Sequence, residues 1–340
     1  MDREQLRGAF EDPAPFTTSP LYRSLSQTVA DHDLLLDLAS RGRPGQYPTF
    51  LFFGAVHHLL LRGADHPLAR FYPSIAGDAA LPPAGAGPVL VSFCGEFEAE
   101  LAETISSRLV QTSQVQRAFG LRLGLSMIAC DVPGPVHLIE VGASAGLNLR
   151  FRSYGYQVGG RQFGDPAAAV QLAADRCGAG LLPDLDVLPP VAGVLGVDLN
   201  PLDVTSDDDV RWLQCLVWPG EAGRLERLSA AVETARRDPP PVYRGDLLTD
   251  VPALVGQAPR GVTVVLYHSA VLWYVSCAQR AEFAAAVAGL GVVWLANEGP
   301  GVVPGITVPD AGLNAYVLAR NGTEAIAVDD SHGLWVEWLP

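Results

Sequence analysis

Residues Val136–Asn148 read VHLIEVGASAGLN. A mostly apolar, partly β-branched run that breaks at once into Gly-Ala-Ser-Ala-Gly and then a helix-compatible segment predicts a buried strand, a tight turn and a helix start. Gly142 and Gly146 let the backbone turn sharply and let a ligand approach without meeting a Cβ. The free N–H groups of a following helix would point at the same place, where they suit a carboxylate or phosphate.

Spacing separates the chemistries that use such a turn. A dinucleotide fingerprint would need glycine where Ser144 and Leu147 stand. A hydrolase nucleophile elbow, G-x-S-x-G, is matched by Gly142-Ala143-Ser144-Ala145-Gly146. The third pattern ends the strand in an acid and puts small residues at alternate positions, as Glu140, Gly142, Ser144 and Gly146 do. It resembles the first motif of class I S-adenosylmethionine-dependent methyltransferases, with serine for the middle glycine.

The rest of the chain bears on that choice. With 340 residues, nearly half apolar and few charged, it can bury a sizeable core. A formal charge of −14 opposes nucleic acid and anionic membrane, so neither is an expected partner. Every cationic residue is arginine, which excludes Schiff-base lysine chemistry and a Walker lysine. Cys94, Cys130, Cys177, Cys215 and Cys277 form no C-x-x-C pair, which suits a reducing compartment. With no signal peptide visible in the charged first ten residues, a cytoplasmic location is expected. The uncharged run Gly261–Gln279 reads as a buried strand and loop rather than a membrane span.

Residues 1–130 are expected to form an all-α cap, with helices over Leu21–Leu38, Tyr47–Leu61, Val89–Val110 and Val115–Cys130. Adjacent His57 and His58 predict one buried and one exposed ring. Residues 131–340 switch to strand-and-helix alternation, predicting a Rossmann-like, mostly parallel sheet with a hairpin inserted near 154–172 and a Pro/Gly-rich stretch to Pro190. Further strands are expected at Val191–Pro201, Pro241–Asp246, Val262–Tyr267 and Val292–Ala296, helices at Val210–Val217, Glu221–Arg237 and Gln279–Leu290, and a closing antiparallel tail over Asn314–Leu339. Asp207-Asp208-Asp209 reads as a solvated first helical turn.

In a doubly wound sheet, ligands sit outside the carboxyl ends of the strands. Polar residues gather at those predicted ends: Glu140 and Ser144, Asp198, Asp246, His268, Asn297 and Glu298. Arg117 could reach a ligand or cap a neighbour. Gly196–Pro201 resembles the second methyltransferase motif, whose acid, here Asp198, accepts ribose hydroxyls. Tyr243–Leu247 resembles the third, with Asp246 on the adenine amino group and Leu247 against the ring. The resemblance implies S-adenosylmethionine as cofactor, Gly142, Ser144 and Gly146 around its methionine part and Glu140 balancing its ammonium. A methyl acceptor needs an aligned base, and His268 and Glu298 are the candidates, with a small molecule as substrate. A hydrolase would instead use Ser144, then Glu298 or Asp310, then His332. The remaining alternative is a non-catalytic binding or scaffold protein.

Over most of its length the chain resembles DUF2332, a bacterial family of unknown function. EVGASAGLNL at 140–149 and GVDLNPLDV at 196–204 carry the resemblance, with Gln111–Arg117, Trp212–Pro219, Val265–Val275 and Trp294–Pro300. The chain departs from that family at Ser113-Gln114, where Asn-Glu is usual, and at Arg152-Ser153, where Asp-Arg is usual. From Glu140 to Asp198 is 58 positions, against about 20 from a glycine turn to its ribose acid; the inserted hairpin is expected to account for the excess.

Overall fold

The computed structural model describes residues 1–178, 180, 183–306, 308 and 315–339. In chain order the α-helices are α1 (Arg3–Glu11), α2 (Pro20–Asp31), α3 (Asp33–Ala39), α4 (Pro48–Leu61), α5 (Pro73–Ala76), α6 (Ala86–Glu96), α7 (Glu98–Ser107), α8 (Ala118–Ile128), α9 (Asp207–Cys215), α10 (Ala222–Arg237), α11 (Val251–Gly256) and α12 (Cys277–Ala288). The strands are β1 (Val136–Val141), β2 (Gly155–Val158), β3 (Arg161–Gly164), β4 (Gln171–Cys177), β5 (Val191–Asp198), β6 (Val242–Arg244), β7 (Thr263–Ser269), β8 (Val293–Glu298), β9 (Ala315–Arg320), β10 (Glu324–Asp330) and β11 (Trp335–Trp338). The expected tail strand begins at Asn314, which lies outside the described residues.

Two compact units form. Met1–Thr112 joins Ser206–Ser229, and Ser113–Thr205 joins Ala230–Pro340. The first unit is helical. Where the pattern predicts one helix over 21–38, the extended backbone of His32 ends α2 and starts α3. Phe97 likewise divides the run over 89–110 into α6 and α7. Helix α4 is apolar almost all round and therefore runs through the middle of the unit, where Phe53 meets Phe10, Phe16 and Tyr22. That position corrects the expectation for its histidines: both are buried. His57 uses its two ring nitrogens on the Cys215 carbonyl (3.2 Å) and the Ser74 hydroxyl (2.7 Å). His58 Nε2 lies 3.1 Å from Asp208 Oδ1. Ser206 caps α9, and Arg108 pairs with Asp208 and Asp209, so the acidic turn is partly neutralised rather than only solvated.

The second unit holds an eleven-stranded sheet in the order β3-β2-β4-β11-β10-β9-β8-β7-β1-β5-β6. From β6 through β8 every pair is parallel, and β8-β9-β10-β11 run antiparallel. Reversal of order on either side of β1 is the doubly wound arrangement, with its switch point between β1 and its neighbours. The inserted hairpin turns at Gly159-Gly160, both at positive φ. It does not stay beside β1: β2, β3 and β4 form the far edge, with β4 parallel to β11. Residues 173–177, expected to lie in the Pro/Gly-rich stretch after the hairpin, are thus part of a strand.

Both faces are covered. On one, Ile139, Val141, Leu266, Trp294 and Ala296 pack with Leu254 of α11 and Phe283 of α12 in one apolar core. On the other, α8 lies close to the strands through two glycines. A Cβ on Gly120 would stand 2.6 Å from Asn297 Nδ2, and one on Gly124 2.9 Å from Leu295 Cδ1.

Candidate functional site

The turn after β1 is built by its neighbours. Gly142 N–H donates to the Val197 carbonyl at 2.7 Å, bending the chain toward β5. Gly142 (φ 71°), Ser144 (φ 53°) and Gly146 (φ 69°) all lie in the left-handed region. A Cβ on Gly142 would meet Val271 Cγ2 at 2.3 Å, and one on Gly146 would meet Pro240 Cγ at 2.6 Å. The close approach that requires glycine here is therefore to the protein itself. Ala143, Ser144 and Ala145 are buried, while Gly142 is exposed.

The expected helix after the turn is a 3-10 segment, Leu147–Ser153. Tyr154 and Tyr156 donate their hydroxyls to the carbonyls of Leu147 and Phe151, both at 2.6 Å, and draw the chain into β2 before an α-helix can extend. The turn therefore lacks the helix dipole that an anion site would use.

Asp198, at the end of β5, holds this turn. Its carboxylate accepts the N–H of Ser144 (Oδ2, 2.8 Å) and of Asn200 (Oδ1, 2.8 Å). Glu140 lies one strand over, its Oε1 accepting from Asn148 Nδ2 at 2.9 Å and its Oε2 buried with no partner. Burial pushes the Glu140 carboxyl up to about 8, the Asn148 amide pulls the other way, and the Asp198 charge adds to the rise. Asp246 Oδ1 accepts the N–H groups of Leu248 (2.7 Å) and Thr249 (3.2 Å), and Leu247 is buried. Leu199 and Tyr243, not singled out in the sequence, are the exposed apolar side chains at this edge. Arg244 ties the two loops, donating to the Leu199 carbonyl at 2.9 Å.

Strand alternation separates the remaining candidates. His268 and Glu298 face α12 and come together in a fully buried pair. Trp294 Nε1 donates to His268 Nε2 at 2.9 Å, which fixes the imidazole proton on Nδ1, and Nδ1 donates to Glu298 Oε1 at 2.7 Å. Glu298 Oε1 also accepts the N–H groups of Val271 (2.8 Å) and Leu272 (3.0 Å), while Oε2 is buried without a partner. As placed, His268 has no ring nitrogen left for a substrate proton. Glu298 keeps Oε2 unpartnered, and through its Oε1 the pair anchors the loop that carries Val271, next to Gly142.

Glu140, Tyr267 and Asn297 face α8 instead, with Asp329 of β10 beside them. Glu140 is in register with Tyr267, and Asn297 Nδ2 donates to Asp329 Oδ2 at 3.0 Å. Tyr267 donates to the Arg117 carbonyl at 3.2 Å, and the Arg117 guanidinium lies 5.4 Å from the Tyr316 ring centroid. Burial pushes the Asp329 carboxyl up to about 7, against the Asn297 hydrogen bond and the Arg117 charge. Asp329 was legible only as an acid closing an apolar strand; its neighbours across the sheet were not.

For a hydrolase, Ser144 Oγ is buried and has no hydrogen-bond partner. His332 Nδ1 lies 3.2 Å from Ser331 Oγ, and Asp310 is outside the described residues. Among the described residues no cluster of three or more His, Cys, Asp or Glu could hold a metal, and no helix is long and apolar enough to cross a membrane.

The molecule is thus a mixed α/β protein with a large, mostly parallel sheet closed by antiparallel strands, and polar side chains at the carboxyl ends of the central strands. Residues 8–338 match the family model described as an uncharacterized protein conserved in bacteria, DUF2332, and the chain belongs to that family. No curated protein matches it.

Proposed function

We propose that the protein binds S-adenosylmethionine and transfers its methyl group to a small molecule, on a class I methyltransferase-like sheet. The observation that carries the reading is one constellation at the switch point: the Gly142–Gly146 turn after β1, Asp198 at the end of β5 gripping that turn, and the orphaned Glu140 Oε2 beneath it. A buried carboxylate oxygen without a partner suits an ammonium group, which the cofactor's methionine end carries. Leu199 and Tyr243 offer apolar surface at the ends of β5 and β6, where an adenine would lie. The cofactor supplies the electrophilic methyl; the chain's own residues orient it.

Calorimetric titration of S-adenosylmethionine and S-adenosylhomocysteine into the wild type and Glu140→Gln tests this reading. Micromolar binding weakened about tenfold or more in the variant is the expected result, as for loss of one charged hydrogen bond. Glu140→Gln is preferable to Asp198→Ala, since Asp198 also holds the turn. A folded wild type that binds neither compound refutes the reading.

A further inference from the structure

The polar patch under α8 has an imbalance that the cofactor reading does not use. Asn297 and Asp329 are both more than nine-tenths buried, and each keeps one oxygen, Asn297 Oδ1 and Asp329 Oδ1, with no partner. Asn297 Nδ2 is spent on Asp329 Oδ2 and the Tyr267 hydroxyl on the Arg117 carbonyl, while the buried Ser269 hydroxyl, in register with Asn297, has no partner. The Asn297–Asp329 bond fixes the amide orientation, so its orphan atom is the carbonyl oxygen, an acceptor only. The guanidinium of Arg117 sits over Tyr316, its Nε directed at the Ser331 carbonyl at 3.5 Å, and makes no hydrogen bond to Asp329. Neither orphan oxygen is bonded to a donor, and a positively charged one matches a carboxylate best.

Topology puts these atoms where a ligand belongs. Asn297 and Asp329 are the next-to-last residues of β8 and β10, strands that run the same way because β9 between them is antiparallel to both. Both oxygens therefore lie at the carboxyl edge, on the face that also carries Glu140 and Tyr267. Tyr316, in register with Asp329, contributes an aromatic ring to the same patch.

We infer that Asn297 and Asp329 form a binding site for the ammonium group of a small amine, separate from the turn that would hold the cofactor. One N–H of the amine reaches Asp329 Oδ1 and a second reaches Asn297 Oδ1, on the side of Asp329 away from the Arg117 guanidinium that already faces Tyr316. Burial holds Asp329 at an unfavourably high pKa, a cost that a bound cation relieves.

The test uses the full chain and propylammonium as probe, with 1-propanol and propionate as shape-matched controls. Thermal midpoints are measured at equal ionic strength with and without S-adenosylhomocysteine, for the wild type and for Asp329→Asn and Asn297→Ser. At a concentration about ten times its Kd, propylammonium is expected to raise the wild-type midpoint by about 2–4 °C. The controls should give no shift, and either variant should lose most of the effect. Two variants are used so that one misfolded protein does not decide the question. Equal shifts from all three probes, or an unchanged amine response in both variants, overturn the site. So does a crystal structure grown with the amine that holds only water between Asp329 Oδ1 and Asn297 Oδ1. Amine binding without binding of S-adenosylhomocysteine upholds this site and removes the cofactor reading; the reverse removes this site alone.

Discussion

Asp198 does two things with one carboxylate: it ends a parallel strand and accepts backbone N–H groups from Ser144 and Asn200. Removing it in Asp198→Ala frees two charge-assisted hydrogen bonds, so chemical denaturation should show a loss of about 2–4 kcal/mol. Asp198→Asn, which retains one acceptor oxygen, should lose less. Gly142→Ala and Gly146→Ala each force alanine to positive φ and drive a Cβ into Val271 or Pro240. Each should cost at least about 1–2 kcal/mol by the same measurement. Glu140, Asp198 and Asn297 were legible because a polar residue at the end of an apolar run can be read from hydropathy alone. Which face each occupies was not. His268 and Asn297 looked alike in the sequence, yet alternation sends one into the core with Phe283 and the other beneath α8.

Helix α8 shows how an element positions side chains by letting its backbone come close to them. Gly120 and Gly124, four apart, put a bare stripe against β7 and β8. Gly120→Ala would press on the Asn297 amide, which is locked to Asp329, whereas Gly124→Ala would press on the end of the flexible Leu295 side chain. Gly120→Ala is therefore expected to be the more destabilising, and to disturb the Asn297–Asp329 pair. Paired thermal melts of the two variants check this, and a larger loss from Gly124→Ala would contradict it. Strands β1, β5, β7 and β8 could be read to within about three residues, since β-branched runs bounded by glycine leave little choice. The helix after the turn could not, because the tyrosine hydroxyls that shorten it act from the next strand. The breaks at His32 and Phe97 were equally hidden: apolar spacing continues across both, and only packing in three dimensions bends the chain there.

At the scale of the whole molecule, the two most strongly raised carboxyls of the sheet unit and the lowered His57 of the helical unit answer pH in opposite senses. In the sheet unit, Glu140 near 8, facing Asn148 and Asp198 and lying near Tyr154 and Tyr267, and Asp329 near 7, facing Asn297, Arg117 and Asp330, stay protonated when the unfolded chain has already ionised. Fewer protons are bound in the unfolded state, so stability falls as pH rises from about 4 to about 8. In the helical unit, burial brings His57 down to about 4, with the Cys215 carbonyl opposing and His58 adding to the fall. The unfolded chain then binds the extra proton, and stability falls as pH drops from about 6.5 to 4. Hydrogen exchange of core amides across this range, corrected for intrinsic rates, should show protection moving in opposite directions in the two units. Glu140→Gln and Asp329→Asn should flatten the alkaline slope of the sheet unit alone. The alternation of strands and helices announced a parallel sheet, but nothing in composition could say that 206–229 groups with the N-terminal helices, because that grouping rests on contacts such as Arg108 with Asp209 and Trp212 with the Leu109 carbonyl. The far-edge position of β4 has a consequence for biosynthesis. Its ladder partner β11 is translated more than 150 residues after it, so β2, β3 and β4 can pair with one another on emerging from the ribosome but leave the other side of β4 unpaired. They must wait for nearly the whole sheet before they can be sealed, which makes the nascent chain most vulnerable to aggregation just before synthesis of residues 335–338 is complete.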